Sequence, residues 1–181
     1  MEPHPPPTAP IARPSPSVVS SGLAPYLADV LGNDARAALA AQVDEVSRLL
    51  DGLPEARALH RYTPGKWSVK EVLGHLCDAE RVYAYRMLRF ARNDSTPLPG
   101  FDENCYVPAG QFDARSMSSL VAEWQAIRRS TLALVDGFPT DALDRSGVAN
   151  GWPFTVRTLA WLAAGHTSHH LRVLRERYGL G

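Results

Sequence analysis

The sequence predicts an all-α protein, a four-helix bundle with a long loop between its second and third helices. Three observations predict it. Apolar residues recur at three- and four-residue spacing in four separate stretches, the signature of helices with one buried face. Strand-like alternation is strong nowhere in the chain. Two irregular connections rich in proline and glycine separate the second, third and fourth stretches, and the first of these is long.

The chain has 181 residues. That is enough for one domain with a sizeable core and too few for two comfortable ones. Residues 1–22 stand apart. Eight of the 15 prolines fall in the first 25 residues, and proline lacks the backbone donor that helices and sheet interiors need. They read as a disordered or extended tail that contains His4, with the bundle domain over 23–181.

The first helix is expected from a cap at Asn33 or Asp34 to Leu50, with Leu39, Val43, Val46 and Leu50 on one face. Gly52 and Pro54 stop it. TPGKW forms a turn. Ser68 then caps the second helix, and Glu71, three residues on, completes a capping box. That helix runs to about Arg92, with Val69, Val72, Leu73, Leu76, Tyr83 and Met87 apolar. The stretch NDSTPLPGFDENCYVPAGQFDAR has no period and reads as a crossover loop. The third helix begins near Ser116 or Ser118 and ends at Gly137, carrying Leu120, Trp124, Ile127, Leu134 and Val135. FPTDALDRSGVANGWPF is the second irregular connection, in which WPFTV is a candidate for a short extended turn. Thr155 caps the fourth helix, which ends at Tyr178 with Gly179 beyond it.

Nineteen basic residues balance 19 acidic ones. Nucleic-acid and anionic-membrane surfaces need clustered positive charge, so neither partner is expected. No apolar run approaches the roughly 20 residues that span a bilayer. No basic segment followed by an apolar one marks secretion, and two cysteines make no disulfide framework, so a cytoplasmic location is expected.

The histidines carry the chemistry. His166 and His170 are four residues apart on the fourth helix, in the stripe of Leu159, Leu162, Ala163 and Val173, so both point to the core side. On the second helix His75 shares a side with Val72, Ala79 and Val82. A lone histidine on such a face is ordinarily a core residue with its hydrogen bonds met. Three of them without a metal would need three sets of partners in an apolar interior, each unmet group costing roughly 1–3 kcal/mol. A shared divalent cation answers that need with one object. His166 with His169 is a competing pair. His170 is preferred because His169 lies toward the flank, where a supporting or surface role suits it. His60 lies in a loop and is not expected as a ligand.

The segments YTPGKWSVKEVLGHLCDAE and WLAAGHTSHHLRVL together resemble the DinB superfamily, including its YfiT-like metal-dependent members. KWS at the start of the second helix, the HL that follows, and HxxHH on the last helix carry the resemblance, which covers about residues 33–178. It implies a four-helix bundle of up-down-down-up topology, a divalent metal (zinc or nickel) on His75, His166 and His170, and a homodimer. Some relatives are S-transferases or isomerases that use a low-molecular-weight thiol, and others are described only as hydrolase-like. The family name refers to DNA-damage induction and implies no DNA binding.

An open three-histidine site supports two reactions on a small electrophilic substrate. A metal lowers the pKa of bound water toward about 7 for hydrolysis. Alternatively a small thiol takes the water's place and is deprotonated by coordination. Neither needs a protein nucleophile. Cys77 reads as a buried filler and Cys105 as an incidental loop thiol. Glu80 is a candidate general base, weighed against an ion pair with Arg81, Arg86 or Arg89, and Asp78 is another carboxylate nearby. Trp67, Tyr83 and Trp124 read as packing residues, and Trp152 as a possible wall of a pocket mouth. The competing class is a non-catalytic bundle that sequesters a metal or ligand, which a fourth protein ligand such as His169 or Asp78 would favour. A metal-free bundle is a third.

Overall fold

The computed structural model describes residues 10–181. His4 and the PPP run lie outside the described residues. In chain order the helices are α1 (Ala24–Ala28), α2 (Ala35–Leu50), α3 (Glu55–Ala58), α4 (Val69–Ala91), α5 (Glu103–Gly110), α6 (Met117–Asp136) and α7 (Val156–Tyr178). The strands are β1 (Ser146–Ala149) and β2 (Trp152–Thr155). The four long helices, α2, α4, α6 and α7, are the four that the apolar periodicity predicts. α4 packs on α6 and α7, and α2 packs on the same two, so α2 and α4 occupy opposite corners of the bundle.

Local chemistry sets where each long helix starts. The Asp34 side chain accepts from Arg36 N, making Asp34 the cap of α2. Ser68 and Glu71 form a full capping box at α4, each side chain meeting the other's backbone N–H. Ser116 caps α6 and Thr155 caps α7. Gly179 closes α7 in the left-handed region at φ +63, which favours glycine because an L side chain is strained there.

The interior is two apolar clusters with a polar layer between. One holds Leu39, Ala79, Met87, Phe90, Val135 and Trp161, and the other Val46, Leu76, Trp124 and Leu174. On each long helix a polar residue falls near the change from one cluster to the other: Gln42, Glu80, Arg128 and Thr167. They bond to one another. Arg128 is 0% exposed, and its Nη1 donates to Gln42 Oε1 at 2.7 Å. Its Nη2 donates to Glu80 Oε2 at 3.1 Å and to Thr167 Oγ1 at 2.8 Å. Its Nε stands 2.9 Å from Glu80 Oε1. A buried guanidinium is costly to desolvate, so an arrangement that meets so many of its donors ties the four helices to one relative placement.

Three segments differ from the sequence expectation. The connection expected as an aperiodic loop contains α5, because Asp102 accepts from Asn104 N and caps a short helix that ends where Gln111 turns left-handed. The second irregular connection is a β-hairpin: β1 pairs antiparallel with β2. Asn150 and Gly151, at φ +51 and +76, form its two-residue turn, a pair suited to positive φ at both positions. Part of the proline-rich segment expected as a tail is laid on the bundle from Pro10 onward. Ile11 is fully buried, and its backbone carbonyl accepts from Trp161 Nε1 at 3.1 Å. The Arg13 guanidinium lies 4.4 Å from the Trp161 ring centre and donates to the carbonyls of Leu27 and Val30 at the end of α1. Proline leaves this segment a single 3-10 turn, Pro16–Val18, and does not prevent an apolar side chain from docking.

Candidate metal centre

α4 and α7 are packed neighbours, and each brings its histidines to the shared side. His75 Nε2 and His166 Nε2 are 3.0 Å apart. One imidazole nitrogen from each of His75, His166 and His170 lies within 4.8 Å of the others, and among the described residues this cluster has three members. The His75 ring centre is 5.0 Å from that of His170, and the rings of His166 and His170 are 4.6 Å apart.

Burial sets their protonation. It pushes His75 down to about 4 against the pull of the Glu103 carboxylate. It pushes His170 down to about 3, helped by His75 and His169. His166 falls well below its ordinary value through burial first and then its histidine neighbours. At neutral pH the rings are therefore uncharged, the state in which imidazole binds a metal. The donor set fits a divalent cation. Nitrogens about 2.1 Å from one ion, at angles of about 90–110°, stand about 3 Å apart, and His75 and His166 already have this spacing.

Two glycines allow the walls to close on these rings. A Cβ on Gly165, just before His166, would lie 2.3 Å from the carbonyl oxygen of Tyr26. α1 can approach α7 only because that atom is missing, and the approach brings the Tyr26 ring within 5.9 Å of the His166 ring centre. A Cβ on Gly74, just before His75, would lie 2.3 Å from the Phe112 ring.

The cluster opens into a cleft of about 610 Å³. Trp67, Tyr83, Arg86, Glu103, Trp152 and Tyr26 are among its walls. Trp152, expected at a pocket mouth, is there and is 58% exposed. Trp67 does more than pack: its ring centre is 4.8 Å from that of His75. Tyr83, expected in the core, also faces the cleft, 5.6 Å from the His166 ring, and burial raises its phenol pKa so that it stays protonated.

The other candidates are outside the three-histidine cluster. His169 lines the flank of the cleft, 3.7 Å from Asp29 and 3.2 Å from Arg172 Nη2. His60 packs edge-on to Tyr178. Glu80 is 2% exposed, outside the cleft walls, and its carboxylate is bound by Arg128 rather than by Arg81, Arg86 or Arg89. Asp78 is drawn to Arg81 at 3.8 Å, and burial raises its pKa. The Cys77 thiol is buried and pushed up to about 12, so it is inert. The exposed Cys105 donates to Asp102 at 3.3 Å.

Sequence reasoning passed over Glu103 and the place of Arg86. Glu103 sits in the first turn of α5, and the Asp-Glu pair of FDEN is a helix-start signal that could have exposed it. Arg86 follows His75 by eleven residues, three helical turns, and so shares its face.

Fold and site define a helical bundle with a three-histidine cluster of metal-binding geometry. The chain belongs to the DinB superfamily, whose family model matches residues 38–174. Among solved structures it is similar to YfiT from Bacillus subtilis, with a TM-score of 0.67 and 17% identity over 93% of this chain and 94% of that one. YfiT is described as a probable metal-dependent hydrolase with an unusual four-helix bundle topology. No curated protein matches the chain. Among the described residues no helix is long and apolar enough to cross a membrane.

Proposed function

We propose that this chain is a metal-dependent enzyme that hydrolyses a small electrophilic substrate at His75, His166 and His170. The observation that carries the reading is the open donor set: three neutral imidazoles meet at one point in the wall of a cleft. The description of YfiT agrees with it. Imidazole nitrogen suits zinc and nickel alike, and these are the ions we expect.

A divalent ion at the cluster would supply Lewis acidity and a lowered pKa for water. The three histidines would hold it through their free lone pairs. Glu103, the carboxylate in the cleft wall whose charge acts on His75, accepts the proton from the attacking water. The protonated Tyr83 hydroxyl donates a hydrogen bond toward charge that develops on the substrate. Tyr26 and Trp67 flank the rings and restrict their access to bulk water.

Thiol transfer is the second reading, favoured by the size of the cleft, which has room for a small thiol beside an electrophile. Protein loaded in turn with zinc and nickel is assayed on esters and amides, and on electrophiles with a panel of low-molecular-weight thiols. Hydrolysis above the metal-free background supports the first reading and thiol-dependent conjugation the second. No turnover in either panel leaves a metal-binding bundle without catalysis.

A further inference from the structure

The cleft holds a cation for which the fold supplies little. Arg86 on α4 is 6% exposed, yet its side chain lines the same cleft as the histidines. A guanidinium has five N–H donors. Its hydrogen bond here is one, from Nη2 to the carbonyl oxygen of Pro99 at 3.0 Å. Among the described residues no carboxylate pairs with it. Glu103, in the same cleft, acts on His75 and Tyr83 and forms no ion pair with Arg86. Burial lowers the guanidinium pKa, as expected for a charge taken from water without a counter-ion.

The contrast with Arg128 is informative. Both are buried arginines on bundle helices. Arg128 is met by Glu80, Gln42 and Thr167. Arg86, in the cleft wall, is met by one backbone carbonyl. Buried charges are ordinarily paired, and an unpaired one in a binding cleft marks the place where a ligand brings the opposite charge.

Position gives the ligand a length. Arg86 and His75 share a face of α4, with Cα atoms about 16 Å apart along the axis, and helical side chains lean toward the N-terminus. Both side chains lean the same way and the arginine is the longer, which leaves roughly 10–15 Å between guanidinium and histidine cluster.

We propose that Arg86 determines specificity in this cleft by binding the carboxylate of an organic-acid substrate whose reacting group lies at His75, His166 and His170. This rests on the reading of the histidines as a metal centre. It adds the substrate class: a small acid with a carboxylate several bonds from the reacting atom.

The probes are mercaptoalkanoates, from mercaptoacetate to mercaptohexanoate, and the mercaptoalkanols of matching length. They are titrated into cobalt-loaded protein, whose visible spectrum reports thiolate ligation. The acids should bind more tightly than the alcohols by about tenfold or more at the best length. Arg86→Gln should abolish that preference with cobalt content unchanged, and Arg86→Lys should keep part of it. A residue that merely clamps Pro99 would not separate acid from alcohol. Equal binding of acid and alcohol by wild-type protein overturns the proposal, as does an undiminished preference in Arg86→Gln. If the protein takes up no cobalt, the metal reading fails, and Arg86 is judged on metal-free wild-type protein. Butanoate should then shift the Arg86 Nε–H resonance saturably while butanol does not. Absence of that shift overturns the proposal without recourse to a variant.

Discussion

His75 Nε2 and His166 Nε2 lie 3.0 Å apart although 91 residues separate them. Two uncharged imidazoles at that distance share at most one proton, and His170 adds another nitrogen to the same point. The three ring centres stand 4.6–5.0 Å apart in a near-equilateral triangle, so each ring is needed to complete the donor set.

His166→Ala should therefore lower bound metal at least tenfold, measured by elemental analysis of untagged protein, whereas His169→Ala should retain it. Wild-type protein should also gain thermal stability on metal addition, about 2.7 kcal/mol at a hundred times the dissociation constant. Equal metal content in wild type and His166→Ala would remove the site.

Glu103→Gln tests the proton acceptor. Loss of a general base typically costs 10²–10⁴-fold, so turnover should fall by roughly that factor while metal content and melting temperature stay at wild-type values. Glu80→Gln should behave oppositely. It leaves a buried guanidinium without its counter-charge and should cost about 3–5 kcal/mol of stability in urea unfolding. A Glu103→Gln variant with wild-type turnover would exclude this carboxylate.

The metal-free protein should lose stability in mild acid. The folded-state pKa values of His75, His166 and His170 all lie below the ordinary value of 6.5. From about pH 6.5 down toward 4 the unfolded chain binds protons that the folded chain refuses, so stability falls as pH falls. Each histidine contributes a slope of up to about 1.4 kcal/mol per pH unit. Urea midpoints that coincide at about pH 7 and about pH 5 would contradict this sign.

Gly165→Ala probes the docking of α1. The added Cβ would meet the Tyr26 carbonyl at 2.3 Å, and the atoms in conflict are backbone, which cannot swing aside. The variant should lose about 1–3 kcal/mol. It should also be cleaved faster by protease within residues 10–34, which include α1, if that segment lifts from α7. Unchanged cleavage kinetics would show that the approach of α1 does not depend on Gly165.

The extents of the four long helices were legible because periodicity and capping are local. Ser68 with Glu71, and Thr155, act within one turn of the chain. The same locality put His166 and His170 on one stripe and exposed HxxHH as a family signature. The hairpin was equally local and half legible: WPFTV reads as extended and holds β2, but its partner strand is not legible, because strands this short on either side of Asn150-Gly151 show no alternation.

What the sequence determined by itself was therefore the helical class, the starts of the long helices and the face on which each histidine lies. Only the tertiary structure decided what meets across the bundle. It chose Arg128 as partner of Glu80 over the arginines nearby in sequence, and it turned a stretch without period into the α5 wall that carries Glu103. It also left Arg86 in the cleft wall, met by one backbone carbonyl. The physical reason is that side-chain direction repeats every few residues and can be read along the chain. Which face receives which neighbour depends on packing many residues at once, and no spacing encodes that.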